Sequence, residues 1–151
     1  MPTEEKIVIR AVNKPNNEKA GAILEWFCQV FDLGDNEDGL EPTMFREIVV
    51  ASFSGEGVTS KDLNKKFDTP RSTVIYHLNR FIYSGLVIRR GRRYYLRSED
   101  MASTIEELHD DMNREFNRLL QFAEKLDETM ESNNYGRKRR ARIQSRRPSR
   151  E

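Results

Sequence analysis

Apolar residues recur every three or four positions in five segments of the chain, which is the spacing that one face of an α-helix requires. The segments are residues 18–31, 41–53, 59–67, 70–84 and 98–132. The last of them contains no proline or glycine, and a helix of about thirty residues would extend roughly 45 Å. The pattern therefore predicts a mainly helical protein with one long helix near its C-terminus.

Helix-start signals stand in front of the central helices. Thr59 lies three residues before Asp62, which is capping-box spacing with aspartate in place of the usual glutamate. Thr69 followed by Pro70 predicts an N-cap and a proline at the first helical position. Gly85 predicts the end of the helix that begins there.

Two regions rich in β-branched or aromatic residues predict strands. Residues 86–97 form two such runs around Gly91, which is typical of a tight hairpin. Residues 6–12, KIVIRAV, predict a short strand ahead of the first helix.

The order of these elements indicates the fold. A helix, a short strand, two helices joined by a tight turn and a β-hairpin follow one another, as in a winged helix-turn-helix. We therefore expect a mainly α fold with a small β-hairpin: a winged helix-turn-helix, an N-terminal helix and a long C-terminal dimerisation helix. The predicted parts are a strand and helix extension (1–41), a DNA-binding domain (42–97), the long helix (98–132) and a disordered arginine-rich tail (133–151).

The formal net charge of +1 hides a strong segregation of charge. Residues 61–97 carry ten lysines and arginines against two acids, and residues 136–151 carry eight against one. Residues 1–60 hold eleven acids against five bases, and residues 98–135 hold eleven against three. The two basic blocks are therefore the places where we expect a polyanion to bind.

The helix predicted over residues 70–84 has one apolar and one polar side. Val74, Leu78 and Phe81 share the apolar side and predict core positions. Arginine and asparagine suit guanine and adenine edges, and hydroxyl groups suit phosphates, so the polar side predicts DNA contacts. An ordinary solvated helix face is the alternative. The predicted contacts are Arg71, Ser72, Thr73, Tyr76, Asn79 and Arg80.

Four arginines crowd the predicted hairpin turn around Gly91. Like charges at a tight turn repel one another, and a wing lying along a duplex would give them phosphates or the narrow minor groove to meet. A merely solubilising turn is the alternative. These predicted wing contacts are Arg89, Arg90, Arg92 and Arg93.

The C-terminal tail has no apolar periodicity and is dense in basic residues, which predicts a flexible arm that binds polyanions. Its partner is DNA or RNA, and screening of the acidic long helix is the alternative. The tail residues concerned are Arg137, Lys138, Arg139, Arg140, Arg142, Arg146 and Arg147, with Arg150 beyond them.

The long helix carries an apolar stripe with alternating steps of three and four, interrupted where Glu115 takes the heptad position beside Phe116. Such a helix usually covers its stripe with a second copy of itself. Folding back on residues 18–31 is the alternative, and both can hold in a dimer. The predicted dimer residues are Ile105, Leu108, Met112, Leu119, Phe122 and Leu126.

Nothing in the sequence predicts catalysis, a cofactor or a metal site. Cys28 is the only cysteine, which excludes an intramolecular disulfide and fits the cytoplasm. We expect His77 to be hydrogen-bonded beside core residue Leu78, and His109 to be solvated. We see no predicted membrane span or signal peptide, and no glycine-rich phosphate loop or nucleophile–base set.

Residues 58–97 resemble the DNA-binding unit of ArsR-type winged-helix regulators, archaeal members most of all. The resemblance rests on TSKDL at 59–63, STVIYHLN at 72–79, SGLV at 84–87 and GRRYYL at 91–96. It implies a homodimeric transcription regulator whose recognition helix reads the major groove. It further implies contacts by Ser72, Thr73, Tyr76 and Asn79 on the helix, and by Arg90 and Arg92 on the wing. The cysteine motif of the metal-sensing branch is absent from residues 63–68, so the resemblance implies no metal response.

Together these patterns predict a non-enzymatic, cytoplasmic and nucleoid-associated homodimer that binds double-stranded DNA. The alternative is a sequence-indifferent chromatin-like, RNA-associated or ribosome-associated protein that binds through its wing and tail.

Overall fold

The computed structural model describes residues 6–133. Within this range the chain forms five helices and three short strands, and it divides at Leu108 into two compact units. The mainly helical class with a small sheet and a long C-terminal helix is confirmed. The elements are α1 (Ala20–Val30), α2 (Glu41–Phe53), β1 (Val58–Thr59), α3 (Ser60–Phe67), α4 (Arg71–Tyr83), β2 (Val87–Arg90), β3 (Arg93–Leu96) and α5 (Met101–Ser132).

The core of the first unit is built from residues of α1, α2, α3, α4, the three strands and the start of α5. The predicted apolar side of α4, Val74, Leu78 and Phe81, is completely buried. Phe81 packs against Phe45 of α2 with ring centroids 5.6 Å apart. Burying a side chain of this size contributes about 1.5–3 kcal/mol, so these contacts fix which side of α4 faces outward.

The capping box predicted at the start of α3 is present. The Thr59 hydroxyl accepts a hydrogen bond from the Asp62 amide at 3.0 Å, and the Asp62 carboxylate accepts one from the Thr59 amide at 3.1 Å. The hydrogen bonds from the Thr59 amide and hydroxyl lower the pKa of Asp62.

The start of α4 differs from the prediction. Its N-cap is Pro70, and no side chain caps the helix. Thr69, the predicted cap, instead accepts a hydrogen bond from the Asn64 side chain through its carbonyl. Asp68, in a left-handed conformation with φ of 46°, ends α3 and turns the chain toward α4.

The predicted hairpin is present, and β1 adds a third strand to it. The antiparallel order is β1–β3–β2, with Val58 opposite Tyr94 and Arg90 opposite Arg93. Gly91, at the first turn position, has a φ of +62°, a conformation that favours glycine.

The strand predicted over residues 6–12 does not form. The Lys6 amide donates to the Tyr83 carbonyl at 3.0 Å and the Arg10 amide donates to the Val30 carbonyl at 2.7 Å. These carbonyls belong to the last residues of α4 and α1, where a helix leaves its oxygens without intrahelical partners. The segment therefore binds two helix ends, which offer no continuous edge for a β-ladder.

The long helix begins at Met101, three residues later than predicted, because Asp100 caps it. The Asp100 side chain accepts a hydrogen bond from the Ser103 amide at 2.7 Å. Thr104 and Leu108 on its first turns are buried in the first unit, and Ile105 packs against the same core. Leu108 is thus a core residue, and its assignment to a dimer interface is wrong.

In the second unit, α5 exposes a nearly continuous apolar surface. The side chains concerned are about 60% exposed or more. They include three predicted dimer residues and two that the heptad prediction omitted; the five are Phe116, Leu119, Leu120, Phe122 and Leu126. In the part of the chain from residue 6 to 133, no helix combines the length and apolarity needed to cross a bilayer.

Replacing Gly57 with alanine should destabilise the sheet far more than replacing Gly55. Both glycines have positive φ, but a Cβ at Gly57 would lie 2.8 Å from the Tyr94 carbonyl and 2.7 Å from the Tyr95 ring. A Cβ at Gly55 would meet nothing within 4 Å. We expect Gly55→Ala to lower the free energy of unfolding by about 1–2 kcal/mol, and Gly57→Ala by about 2–5 kcal/mol with the added overpacking. Urea denaturation measures both, and equal losses would contradict the predicted clash.

The Cys28 thiol should be inert in the folded protein. Burial, with the nearby Glu41 and Glu25 carboxylates, raises the pKa of Cys28 to about 12, and only the thiolate is a good nucleophile. A chromogenic disulfide reagent near neutral pH should therefore label one thiol per chain only after guanidinium is added. Rapid stoichiometric labelling of the native protein would show that the side chain is accessible.

Candidate nucleic-acid interface

The polar side of α4 is open to solvent. Arg71, Ser72, Tyr76 and Asn79 are exposed, and Thr73 is half-buried. The buried apolar side fixes this orientation. Five of the six residues predicted on this helix thus share an accessible surface.

Arg80 lies on the same polar side of α4, but its guanidinium is bonded to other parts of the chain. Its Nε donates to Glu41 Oε2 at 2.7 Å and its terminal nitrogen donates to the Asp32 carbonyl at 3.0 Å. The hydrogen bond to Glu41 raises the pKa of Arg80. We therefore correct its assignment from a DNA contact to a partner of Glu41, the first residue of α2, and of the Asp32 carbonyl.

The hairpin arginines point to both faces of the hairpin, because side chains alternate along a strand. Arg89 lies on the same face as Tyr94, with its guanidinium carbon 5.6 Å from the ring centroid. Its Nε also donates to the Gly91 carbonyl at 2.8 Å. These two contacts hold the Arg89 side chain in place on the face that carries the buried residues of β2 and β3.

Arg90 and Arg93 lie opposite each other on the other face. Like charges in this position repel, and each arginine has a separate partner. The guanidinium of Arg90 lies 5.7 Å from the Tyr95 ring centroid, and Arg93 donates to the Glu56 carbonyl at 3.2 Å. Arg92 stands in the exposed turn, where the described part of the chain gives it no hydrogen bond or ion pair.

A cleft of about 380 Å³ lies between the polar side of α4 and the face of the hairpin that carries Arg89 and Tyr94. Asn79 lies on one wall and Arg89 on the other, with apolar residues such as Val87 between them. Among the described residues that line it there is no carboxylate. Its second arginine, Arg97, pairs with Glu107. The cleft therefore places an asparagine, a side chain that can bond to base edges, and the positive charge of Arg89 on the walls of one concave surface.

Exposed lysines on α3 extend the positive surface beyond the residues predicted. Lys61 and Lys65 are exposed, whereas Lys66 pairs with Glu47 at 2.5 Å. The signal in the sequence was the basic block that begins at Lys61. Helix α3 packs against α4, so these lysines are further candidates for phosphate contacts.

A buried charged cluster lies behind α4, and the sequence did not predict it. Glu41 is 0% exposed, and its Oε1 accepts from the Gly34 amide at 2.8 Å. His77 is 1% exposed, with Nδ1 at 2.6 Å from Glu41 Oε2 and Nε2 at 2.7 Å from Asp38 Oδ2. The expectation that His77 is hydrogen-bonded is confirmed.

The hydrogen bonds of the cluster lower the pKa of Asp38, which is its most exposed carboxylate. Burial alone would raise the pKa of Asp38, but the hydrogen bonds from His77 and from the Leu40 amide outweigh it and hold the pKa below its ordinary value. Asp38 therefore stays ionised at neutral pH and faces His77 as an anion.

The predicted tail contacts, Arg137 to Arg147, lie outside the described residues. Within residues 6–133, no group of three or more histidine, cysteine, aspartate or glutamate side chains is arranged to bind a metal ion. Comparisons of the chain with known protein families, curated proteins and solved structures found no match. The function is therefore argued from the geometry of this surface.

Proposed function

We propose that this protein is a homodimeric transcription regulator of the ArsR type that binds double-stranded DNA through a winged helix-turn-helix. The observation that carries the proposal is the carboxylate-free cleft shared by Asn79 of α4 and Arg89 of the hairpin. The order α2–β1–α3–α4–β2–β3 supports it, with α3 and α4 as the helix-turn-helix and β2–β3 as the wing. The proposed activity is binding, without catalysis or a cofactor, in the cytoplasm on the nucleoid.

In this proposal α4 lies in the major groove. The groove is about 12 Å wide and admits one helix, and asparagine and arginine there form bidentate bonds with adenine and guanine. Asn79 and Arg71 are the exposed side chains of those types on α4. They are the proposed readers of sequence, and Ser72, Thr73 and Tyr76 are proposed to bind phosphate or to pack against the bases.

The first turn of α4 supplies a second mode of contact. Because no side chain caps this helix, amide groups of its first residues remain available to a ligand. A helix N-terminus with free amides is a favourable place for a phosphate oxygen. This contact fixes the register of the helix on the duplex and carries no sequence information.

The wing arginines are proposed to meet the DNA backbone or the adjacent minor groove. Arg92 occupies the exposed tip and Arg89 the face toward α4, so these two are placed to extend the surface that α4 begins. Their binding would be electrostatic and strongly dependent on salt.

The proposed dimer forms through the exposed part of α5. Five large apolar side chains lie along some ten residues of this helix from Phe116 to Leu126. Burying each of them contributes about 1.5–3 kcal/mol, and an exposed apolar surface of this extent marks an interaction site. A second copy presents the same stripe and is the simplest partner for it.

Asn79→Ala and Arg71→Ala should weaken binding to a selected DNA site by about 1–3 kcal/mol each and have little effect on random DNA. The reason is that these side chains bond to base edges, which the selected site supplies in the right order. The site is first selected from a random duplex pool, and fluorescence anisotropy then measures affinity on both DNAs at fixed salt.

The matched controls are Gln29→Ala and Arg46→Ala, exposed side chains of similar type on α1 and α2, which should leave the preference unchanged. Equal losses on both DNAs would contradict base reading. The same measurement on a chain ending at residue 133 tests the alternative function: loss of most affinity and of salt dependence would identify a sequence-indifferent protein that binds through its tail.

The double substitution Leu119→Glu and Leu126→Glu should convert the dimer to a monomer without unfolding it. Both side chains are exposed in the single chain, so charge there removes only the apolar contact with a second copy. Light scattering after size exclusion measures the mass, and circular dichroism checks the helix. Gln121→Glu, on the opposite side of α5, should remain dimeric; a monomeric wild type at tens of micromolar would contradict the proposed interface.

A further inference from the structure

We propose that Asp38, Glu41 and His77 form a proton-dependent latch that positions α4, and that DNA binds tightest when His77 carries both ring protons. The inference rests on the proposed function and adds a regulatory input to it. It is supported by the short contacts of both His77 ring nitrogens with carboxylate oxygens and by the burial of His77 and Glu41.

The two contacts of the His77 ring determine how many protons the cluster holds. Both ring nitrogens of His77 lie within 2.7 Å of a carboxylate oxygen. A neutral imidazole has one donor nitrogen and one acceptor nitrogen, and an ionised carboxylate only accepts. The two contacts can both be hydrogen bonds only if the ring is an imidazolium or if one carboxyl group holds a proton.

The surroundings of the two carboxylates place the extra proton on the His77 ring. Glu41 accepts three hydrogen bonds, from Gly34, His77 and Arg80, which is the environment of an ionised carboxylate. The Asp38 side chain is 35% exposed, and an aspartate in contact with water is ionised at neutral pH. His77 is therefore the site that remains for the extra proton.

A protonated His77 also makes the cluster electrically neutral. Glu41 and Asp38 supply two negative charges, and Arg80 and protonated His77 supply two positive ones. The Asp32 carboxylate also faces Arg80, but it is paired with Arg10 at 3.4 Å and so leaves this balance intact. The Tyr76 ring stands edge-on to His77, Cys28 near Glu41 is a neutral thiol, and Arg80 is further held by the Asp32 carbonyl.

Loss of the His77 proton breaks the latch at its exposed end. The bond to the fully buried Glu41 retains the remaining proton, so the Nε2 lone pair then faces the Asp38 carboxylate. Asp38 has a side chain that is 35% exposed, and it can turn to water. The loop of residues 31–40 then loses its contact with α4 at Asp38, while Arg80 still bonds to Glu41 and to the Asp32 carbonyl. The cluster is left with a net negative charge behind the DNA-binding surface.

Both effects act on the proposed contacts. His77 lies next to Tyr76 and two residues before Asn79, so a change in how α4 is held reaches the base-reading side directly. The added negative charge repels phosphates. Affinity should therefore be highest where His77 is protonated and should fall as pH rises, by at most about tenfold per pH unit for one linked proton.

The test combines a spectrum with a titration, both on the full chain. Nitrogen–proton correlation spectra should show His77 with both nitrogens protonated near neutral pH. His109, on the exposed part of α5, gives the reference signal of a solvated ring in the same sample. DNA affinity is then measured from about pH 5 to about pH 9, which includes the range of about pH 5–8 in which histidine side chains generally change charge.

Asp38→Asn is the decisive variant, because an amide can either donate to or accept from Nε2 and so satisfies both states of the ring. The variant should bind DNA as tightly as wild type at low pH. At high pH it should lack the fall in affinity that loss of the His77 proton causes in wild type. Asp35→Asn, which neutralises a more exposed acid of the same loop, should keep the wild-type pH profile.

The outcomes separate the two proposals. A DNA complex whose affinity has the same pH profile in wild type and Asp38→Asn, or a His77 ring with a single proton at neutral pH, would overturn the latch. Absence of any DNA complex at low salt across the whole pH range would overturn the proposed function and, with it, the link between His77 and DNA.

Discussion

The position of α4 depends on a carboxylate that has no contact with water. Glu41 is the first residue of α2, and its two oxygens bind the Gly34 amide, the His77 ring and the Arg80 guanidinium. A buried ion pair contributes little net stability, because desolvation offsets the attraction, but removing one partner costs about 3–5 kcal/mol. The ion pairs of Glu41 therefore act mainly on geometry: they hold the loop of residues 31–40, α2 and α4 in one relative position. The apolar contact of Phe45 with Phe81 supplies the stability that the charged cluster does not.

Sequence patterns predicted the structure correctly where it depends on residues that are close together in the chain. The Thr59–Asp62 capping box, the hairpin turn at Gly91 and the apolar side of α4 each depend on neighbours within one or two turns, and all three predictions were confirmed. The same reasoning would have placed the start of α5, since Asp100 precedes Ser103 at capping distance. Thr69 shows the limit of such signals, because two adjacent residues competed for one cap position.

The parts that could not be predicted depend on contacts between distant segments. Arg80 shares the polar side of α4 with Asn79, and nothing in the helix itself shows that the first residue of α2, Glu41, is its partner. Charged residues are rarely fully buried, so Glu41 looked like an ordinary helix-start acid. Residues 6–12 have strand composition, but the neighbours they meet are helix ends. Leu108 lies in the apolar stripe of α5, yet it is buried in the first unit, where composition alone could not assign it.

The apolar stripe of α5 keeps one heptad frame, and this bears on any helix pair it forms. Ile105, Met112, Leu119 and Leu126 are spaced by seven residues, a repeat that imposes a left-handed supercoil on paired helices. Glu115 occupies the other apolar position of the frame, seven residues after Leu108 and seven before Phe122. In a parallel pair of copies the two Glu115 side chains would meet at the seam, and a polar residue there fixes the register of the helices at a cost in stability.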